Sequence, residues 1–562
     1  MPDLQETSAP LVLGPLLRYV GETTASVWVQ TADSATVTVR CGEGAWSART
    51  FVVEGFHFAL VLVDGLTAGE TYEYAVDIDD TQVWPTPGSE YPAPRIATLV
   101  HGRPTRLAFG SCRTSVPHDP EHHGSHGVDA LRTYAMALAA GDLEWPDAIA
   151  FLGDQVYADE TSDEMRDFIA TRRSLDEPPG EELKDFTEYA HLYSLAWSEP
   201  ANRWLLSTLP SSMIFDDHDI RDDWNTSWTW HEEINQTQWW HERLVGGLTA
   251  YWVYQHIGNL DHDALAADEI WSLVAAHDGQ GEIDLTAPLR DLVERNDRHP
   301  EVYRWSYARE LGDCRLVVLD SRAARVLEPE ERHMLDPAEI EWLSEQLTGD
   351  VDHLFVGTSL PFLLPPGLHD LEAIDEVLAA GRFGRLPAKA AERVRQIIDL
   401  EHWAAFQSGF QEVFELVMEV ARGAKGDPPA TITFLSGDVH NSYVAEVIDA
   451  EQHGAGSRIV QAVCSPIRNP MPKGLRVAMS GFSRSLVRPM RWVASRSRRI
   501  PDPDYPWRVT HGPWFDNNLA VVEVVGDGLH LSWFAGEVVG DDHDRPRLRE
   551  VSSVDIEGPA GR

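Results

Sequence analysis

Six short apolar runs between residues 106 and 435 most restrict the fold that this chain can adopt. The runs are 106–109, 148–152, 212–215, 314–319, 353–356 and 432–435. Stretches with a helical pattern alternate with them, for example at 127–140, 161–173, 336–348 and 388–422. This alternation of strand and helix is typical of a layered α/β domain, in which the apolar runs form buried central sheets.

The N-terminal part of the chain has a different pattern, with short runs rich in β-branched and aromatic residues. These runs lie at 24–30, 35–40, 56–63 and 71–77. Their spacing favours a small all-β sandwich of the immunoglobulin or fibronectin type. The sequence therefore predicts two domains. Residues 1–99 form the β-sandwich, with a Pro-rich linker at 85–94. Residues 100–562 form the α/β domain, with a helical insertion at about 256–300.

The charge of the chain limits its partners. The net charge is −44 at pH 7, so the surface repels nucleic acid and we expect no nucleic-acid partner. A basic segment at 468–508 is the exception, and its apolar residues recur at helical spacing. Three interpretations are open for it: a lid that steers phosphorylated substrate, an amphipathic segment on anionic lipid, or a helix that only neutralises the acidic body.

The four cysteines and the N-terminus indicate the compartment. The cysteines, at 41, 112, 314 and 464, are widely separated, which argues against a disulfide framework and a structural zinc knot. The N-terminal residues show no signal peptide and no twin arginine. Since no apolar stretch approaches the length of a membrane-spanning helix either, the sequence predicts a cytoplasmic protein.

Four clusters of metal-ligating residue types follow apolar runs. Residues 110–113 offer a cysteine thiolate beside an arginine. Residues 153–159 offer an aspartate at a tight turn and a tyrosine whose phenolate can bind a hard trivalent cation. Residues 214–225 crowd acids around one histidine, and a cation is the simplest way to stabilise so many like charges. Residues 437–440 place an acid and a histidine on one side of an extended segment.

Each cluster also has a structural explanation when taken alone, as a buried cysteine, a helix cap or a solvated acidic loop. Together, however, they predict a two-metal hydrolytic centre, in which paired cations clamp a phosphoryl group and one of them generates hydroxide at neutral pH. Aromatic and histidine residues are dense just after the third cluster, and they form either core or a wall that selects the alcohol part of the substrate. These residues are Trp228, Trp230, Trp239, Trp240, Trp252, His231 and His241.

In this order the clusters resemble the PhoD-like metallophosphatases, also called the alkaline phosphatase D family. The matching motifs are Gly110-Ser-Cys112, Gly153-Asp-Gln-Val-Tyr157, Asp216-Asp-His-Asp219, Leu319-Asp-Ser-Arg322 and Gly437-Asp-Val-His440. The resemblance covers roughly residues 105–540. It implies a four-layer αββα fold with the metal site at the strand ends, and the N-terminal β-sandwich fits the same layout. Members of the family are commonly exported through a twin-arginine signal, which these N-terminal residues do not show.

The resemblance implies a ligand set and a mechanism. The implied metal ligands are Cys112, Asp154, Tyr157, Asp217, Asp438 and His440, with Asp154 bridging two cations. We expect His218 to protonate the leaving oxygen, held in orientation by Asp216 or Asp219. We expect Arg113 and Arg322 to neutralise phosphate oxygens. Asp159 is one more acid near the second cluster, and the sequence does not determine its role.

The ligand types indicate the metals and the reaction. Cysteine, tyrosine and carboxylate favour Fe(III) at one position, an oxygen-rich second position suits Ca²⁺ or Mn²⁺, and Zn²⁺ is a weaker candidate. The predicted function is hydrolysis of phosphoric monoesters or diesters on a phosphorylated small molecule or lipid. A phospholipase D-like diesterase, with peripheral membrane contact through 468–508, is the alternative within this class. A catalytically silent binding protein is the alternative from a different class.

Overall fold

The computed structural model describes residues 10–328, 331–379, 395, 400–471 and 505–559. The basic segment predicted at 468–508 lies outside the described residues except at its two ends. Much of the first half of the helical stretch predicted at 388–422 also lies outside them.

Nine strands form the N-terminal β-sandwich. In one sheet the strand order is β1-β2-β6-β5, and in the other it is β4-β3-β7-β8, with β9 also paired to β7. Alternating residues of these strands, such as Val37 and Val39, point into a shared apolar core. The strands are β1 Leu11–Val20, β2 Ala25–Thr31, β3 Thr36–Cys41, β4 Gly44–Arg49, β5 Phe51–Val53, β6 Phe56–Val63, β7 Thr71–Ile78, β8 Thr81–Trp84 and β9 Arg95–Ala97.

The Pro-rich segment 85–94 is not a linker between domains, and this part of the prediction is wrong. It connects β8 to β9, which both pair with β7. Tyr91 stacks on Trp204 of the α/β part, with ring centroids 5.5 Å apart, and the Trp204 indole N–H donates to the carbonyl of Pro92 at 2.9 Å. Proline composition marks a segment without ladder hydrogen bonds, but it does not distinguish a linker from a docked loop. The domain boundary at residue 99 stays a prediction.

Thirteen further strands form two larger sheets. One has six strands in the order β12-β11-β10-β20-β21-β22, and the other has seven in the order β13-β14-β15-β16-β18-β17-β19. The neighbours β10, β11 and β12 are parallel, and so are β14, β15, β16 and β18. The strands are β10 Arg106–Gly110, β11 Ala148–Leu152, β12 Ser211–Ile214, β13 Tyr307–Leu311, β14 Cys314–Leu319, β15 His353–Thr358, β16 Thr431–Ser436, β17 Ser442–Val447, β18 Arg458–Val463, β19 Trp507–Trp514, β20 Leu519–Val525, β21 Gly528–Val539 and β22 Asp542–Ile556.

The two larger sheets pack face to face, with helices on their outer sides. A side chain at Gly357 of β15 would lie 3.1 Å from the Leu152 side chain of β11, so the sheets touch directly at this point. The six apolar runs are continuous rather than alternating because parallel strands covered on both faces have no solvated side. The predicted α/β fold of four layers, αββα, preceded by an all-β region, is confirmed.

The helices of the described residues include three that lie within the predicted stretches 127–140, 161–173 and 336–348, and several that the sequence did not predict. The helices are Pro120–His126, Ala130–Ala140, Asp163–Arg172, Phe186–Trp197, Pro200–Thr208, Trp228–Ile234, Trp240–Ala250, His262–Ala267, Trp271–Ala276, Thr286–Arg298, Pro337–Gln346, Pro366–Ala379 and Gln407–Ala421. The segment 256–300 contains three of these helices, and its being an insertion stays a prediction. Within the described part of the chain, no helix has both the length and the apolar character needed to cross a membrane.

Candidate metal centre

Strands from both larger sheets end at the same place, and their last residues form one centre. Gly437, after β16, donates its backbone N–H to the carbonyl of Ser359, after β15, at 3.0 Å. Asp438 donates its N–H to the hydroxyl of Ser111, after β10, at 3.1 Å. A Cβ atom at Gly437 would collide with that Ser111 hydroxyl at 1.9 Å, so glycine is required for the sheets to approach so closely.

Four residues at these strand ends have a left-handed backbone. The φ angles are 58° at Cys112, 44° at Asp154, 63° at Asp438 and 48° at His440. Residues other than glycine rarely adopt this conformation, and the few that do are concentrated at functional sites. The turns thus allow side chains of the predicted ligand types to project from sharp bends beyond the sheets.

The first ligand group consists of Cys112, Asp154 and Asp438. One ligand atom from each lies within 4.8 Å of the others. Tyr157 lies beside this group, because its hydroxyl donates to a carboxylate oxygen of Asp154 at 3.2 Å. Burial raises the pKa of the Cys112 thiol well above its ordinary value, and the carboxylates of Asp154 and Asp438 add to that shift. A thiolate at this position therefore needs a nearby positive charge.

The second ligand group consists of Asp154, Asp216 and Asp217, so Asp154 belongs to both groups. All three side chains are buried. Burial raises the pKa of Asp154 well above its ordinary value, and Asp216 adds to the effect while His218 opposes it. Among the described residues, Asp154 Oδ1 and Asp216 Oδ2 are buried and have no hydrogen-bond partner. Orphaned buried carboxylate oxygens are costly, and a shared cation would satisfy them, so this donor set fits a metal pair.

His218 is held by an acid other than the two predicted. Its Nδ1 lies 2.9 Å from one carboxylate oxygen of Asp159 and 3.1 Å from the other. Asp219 instead accepts the backbone N–H of Asp216 at 3.0 Å and a side-chain N–H of Gln255 at 3.2 Å. The prediction that Asp216 or Asp219 orients His218 is therefore wrong. Asp159, whose role was undetermined, makes that contact.

His218 also belongs to a third group of candidate ligands, with Asp217 and Asp222. Its Nε2 lies 3.8 Å from a carboxylate oxygen of Asp222, whose side chain is 62% exposed. Burial opposes the charged imidazolium, but the carboxylates of Asp159 and Asp217 raise the pKa of His218 well above its ordinary value. The Nε2 side of the ring thus faces the more open part of the centre.

The guanidinium of Arg322 is packed against the acidic cluster. Its side chain is fully buried, and it pairs with Asp216, with Asp217 at 3.1 Å and with Glu401 at 2.5 Å. Glu401 also pairs with Arg325 at 3.2 Å. The predicted contact between Arg322 and phosphate oxygens is therefore wrong, since the guanidinium is already engaged by three carboxylates.

Arg113 is likewise engaged away from the centre. Its guanidinium donates to Asp129 at 2.8 and 3.0 Å and to the carbonyl of Ala196 at 2.8 Å. Asp129 is the N-cap of the helix Ala130–Ala140, where it also accepts two backbone N–H groups. Arg113 thus fastens the loop after β10 to this helix, and the prediction that it neutralises phosphate is wrong.

The two histidines near Asp438 differ in their surroundings. His440 belongs to none of the three ligand groups, and burial lowers the pKa of its imidazole to about 4. His402, which the sequence did not indicate, lies with its Nε2 3.5 Å from Asp438 Oδ2. Its Nδ1 lies 2.8 Å from the buried carboxylate of Glu372. Sequence patterns could not find His402 or Glu372, because neither follows a strand or belongs to a recognisable motif.

The aromatic residues after the third cluster divide between the two interpretations. Trp230, Trp240 and Trp252 are buried in the main apolar core. Trp228, His231 and His241 instead line a cavity of about 500 Å³, together with Trp224 and Asn225. None of the residues of the three ligand groups lines this cavity. It is thus separate from the candidate metal centre and gives no support to a wall around the reacting phosphate.

A four-layer fold that gathers buried carboxylates, a cysteine and a histidine at its strand ends defines the class of metal-binding hydrolases. The comparison with protein families then assigns the chain within that class. The model of the PhoD-like phosphatases matches residues 126–489, and the chain belongs to that family. It is therefore a hydrolase that acts on phosphoric esters.

Other comparisons cover the fold and the N-terminal part. Residues 8–96 match a domain of unknown function, DUF7800. A solved structure of PhoD is 14% identical over 100% of this chain and 95% of its own, with a TM-score of 0.56, and shows the same fold. A purple acid phosphatase from yellow lupin (Lupinus luteus) seeds is 10% identical, covering 96% of this chain and 73% of its own, with a TM-score of 0.48. No curated protein matches the chain.

Proposed function

We propose that this protein is a two-metal phosphoesterase in which Asp154 would be a ligand of both cations. The observation that carries the proposal is the place of Asp154 in two ligand groups, with one carboxylate oxygen buried and unpartnered among the described residues. Cys112, Tyr157 and Asp438 would hold one cation with Asp154, and Asp216 and Asp217 would hold the other. When bound, the pair supplies Lewis-acid polarisation of the phosphate and a hydroxide nucleophile at neutral pH.

The ligand types support different metals at the two positions. Thiolate and phenolate beside carboxylates suit Fe(III), whereas the carboxylate-rich position of Asp216 and Asp217 suits Ca²⁺ or Mn²⁺. Zn²⁺ is less favoured, because structural zinc sites prefer nitrogen and sulfur ligands. Only the first position, through the sulfur of Cys112, offers such a ligand.

The protein's own groups then serve binding and proton transfer. Asp159 holds the imidazole of His218 through Nδ1, which leaves Nε2 free to carry a proton to the leaving oxygen. Arg322 pairs with Asp216 and Asp217 and so reduces the cost of ionising these buried carboxylates, and bound cations would balance the rest of their charge. The substrate is a phosphorylated small molecule or lipid.

The test is the substitution Asp154→Asn, with Asp167→Asn as a matched control on an exposed helix position. Both variants are assayed for metal content by elemental analysis and for hydrolysis of p-nitrophenyl phosphate and of bis(p-nitrophenyl) phosphate. Asp154→Asn should lose bound metal and the hydrolysis of both esters together, while Asp167→Asn should keep both. Retained activity with a normal metal content in Asp154→Asn would show that the assignment is wrong.

The two ester substrates also separate the remaining alternatives. Preference for the diester would support the phospholipase D-like alternative, whose lipid contact was predicted for residues mostly outside those described. Preference for the monoester would support a phosphatase of small phosphorylated molecules.

A further inference from the structure

Glu372 and His402 form a buried pair beside the candidate metal centre. Glu372 lies on the helix Pro366–Ala379 and is fully buried, and His402 is 7% exposed. The Nδ1 atom of His402 lies 2.8 Å from a carboxylate oxygen of Glu372. Since a carboxylate can only accept, Nδ1 carries the hydrogen in this contact. The orientation of the ring is therefore fixed, and its second nitrogen is directed away from Glu372.

The second nitrogen faces a proposed metal ligand, at a distance longer than that of a charge-assisted hydrogen bond. His402 Nε2 lies 3.5 Å from Asp438 Oδ2 and is buried, with no hydrogen-bond partner among the described residues. A charge-assisted N–H···O bond would be about 2.7–2.9 Å long. Two ligands of one cation, with bonds of about 2.0–2.6 Å, lie about 3–4 Å apart when they are adjacent in the coordination sphere. The observed separation fits two ligands of the same cation.

We propose that His402 is a ligand, through Nε2, of the cation held by Asp438, and that Glu372 is the residue that positions its ring. The inference rests on the proposed metal centre and extends it. A histidine that ligates a metal commonly donates its other ring N–H to a carboxylate, and Glu372 occupies that place. His402 and His440 both lie outside the three ligand groups, and among the described residues a carboxylate contact at one ring nitrogen and a second nitrogen facing Asp438 are seen for His402. The imidazole ligand of this centre thus comes from the segment before the helix Gln407–Ala421 rather than from the loop after β16.

The test uses the full chain, depleted of metal and titrated with Mn²⁺, and detects imidazole nitrogen coupled to Mn²⁺ by pulsed electron paramagnetic resonance. The variants are His402→Gln, His440→Gln and Glu372→Gln. His369→Gln is the control, since His369 is another buried histidine, lies on the same helix as Glu372 and belongs to none of the ligand groups of the described residues. Thermal unfolding of each variant shows whether it is folded.

The expected result is the loss of one coupled imidazole nitrogen in His402→Gln and its retention in His440→Gln and His369→Gln. Glu372→Gln should keep the coupling but weaken Mn²⁺ binding about 10- to 100-fold, as is usual for loss of a partner that orients a ligand. If His402→Gln does not fold, the Mn²⁺ affinity of Glu372→Gln decides, and an unchanged affinity overturns the proposal.

Other outcomes overturn the inference or separate it from the proposed function. Coupling unchanged in His402→Gln, or lost in His440→Gln instead, would overturn it, and so would the absence of Mn²⁺ binding or of nitrogen coupling in the unmodified protein. His402 would then be an ion-pair partner of Asp438 only. Mn²⁺ bound with the expected coupling, but without hydrolysis of either ester, would refute the proposed function and leave His402 as a ligand.

Discussion

Replacement of Asp159 by asparagine tests the proposed proton donor most directly. The two carboxylate oxygens of Asp159 lie 2.9 and 3.1 Å from Nδ1 of His218, and one of them also accepts the backbone N–H of Asp222 at 2.5 Å. Asparagine has nearly the same shape and keeps one oxygen as an acceptor. The substitution therefore removes the negative charge that favours a correctly oriented, protonated His218, with little change in packing.

The expected loss follows from the strength of this one contact. A hydrogen bond to a charged partner contributes about 1.5–3 kcal/mol. If Asp159 acts on the transition state through His218, this energy appears in the barrier, where about 1.4 kcal/mol corresponds to a tenfold change in rate. We therefore expect kcat to fall about 10- to 150-fold in Asp159→Asn, with KM and metal content unchanged. Removal of the acid itself, in His218→Asn, should cost about 100- to 10,000-fold.

The assay compares substrates that differ in their need for a proton. A nitrophenyl ester has a good leaving group and an alkyl ester a poor one, so the loss in Asp159→Asn should be large for the alkyl ester and small for the nitrophenyl ester. Asp167→Asn is the control, because its carboxylate is exposed on the helix Asp163–Arg172 and belongs to no ligand group of the described residues, and we expect less than about a threefold effect on either ester. Equal losses for both esters, or loss of metal from Asp159→Asn, would refute the assignment of His218 as the proton donor.

Two further predictions concern stability. Arg113→Met should lower the free energy of unfolding by about 3–5 kcal/mol, because it leaves the buried Asp129 without its counter-charge. The double variant Arg113→Met with Asp129→Asn should recover part of the loss. Denaturant titration measures both variants, and an unchanged free energy of unfolding in Arg113→Met would contradict the structural role. The net charge of −44 implies repulsion between surface charges, which salt screens. Added NaCl that shortens the Debye length from about 30 to about 3 Å should therefore raise the melting temperature of the metal-loaded protein. A melting temperature that stays constant or falls would show that this repulsion is unimportant.

The positions of the ligand-bearing strand ends could be predicted because parallel strands restrict the sequence strongly. β11 and β16 are buried on both faces, so each appears as an unbroken apolar run whose end is easily recognised. A glycine and an aspartate follow each run, Gly153 with Asp154 and Gly437 with Asp438. The carboxyl ends of parallel strands lie at one edge of a sheet, which is why the motifs after β10, β11 and β12 could be placed together from the sequence. β16 belongs to the other sheet, and its end joins them because the two sheets meet there, as the contact between Asp438 and Ser111 shows.

The partners of charged residues could not be predicted in the same way. Arg113 stands next to Cys112 in the sequence, yet its guanidinium faces Asp129, the cap of the following helix. Arg322 belongs to a family-like motif, yet it lies beneath the acids rather than in front of them. A motif identifies which residue types are present, whereas the direction of a long side chain depends on which buried opposite charge the tertiary structure brings within reach.

Strand patterns in the sequence do not identify site residues that come from helices or irregular segments. Glu372 and His402 meet only because the helix Pro366–Ala379 and the segment before Gln407–Ala421 pack over the end of β16. Their sequence separation of 30 positions has no periodic signal. Asp159 is an intermediate case: its position two residues after Tyr157 drew attention to it, but only the fold shows that it faces His218.

The same local features that weaken the metal-free protein prepare it to bind cations. Cys112, Asp154 and Asp438 adopt left-handed backbone angles, and such strain costs of the order of 1–3 kcal/mol at each position. Asp154 and Asp216 are also buried with raised pKa values, so they resist ionisation until positive charge arrives. Because bound cations stabilise only the folded form, they offset both costs at once. The metal-free fold is therefore less stable than it would be without these features, but its ligands are already in position. The buried Arg322 reduces this loss of stability, because it compensates part of the charge of Asp216 and Asp217.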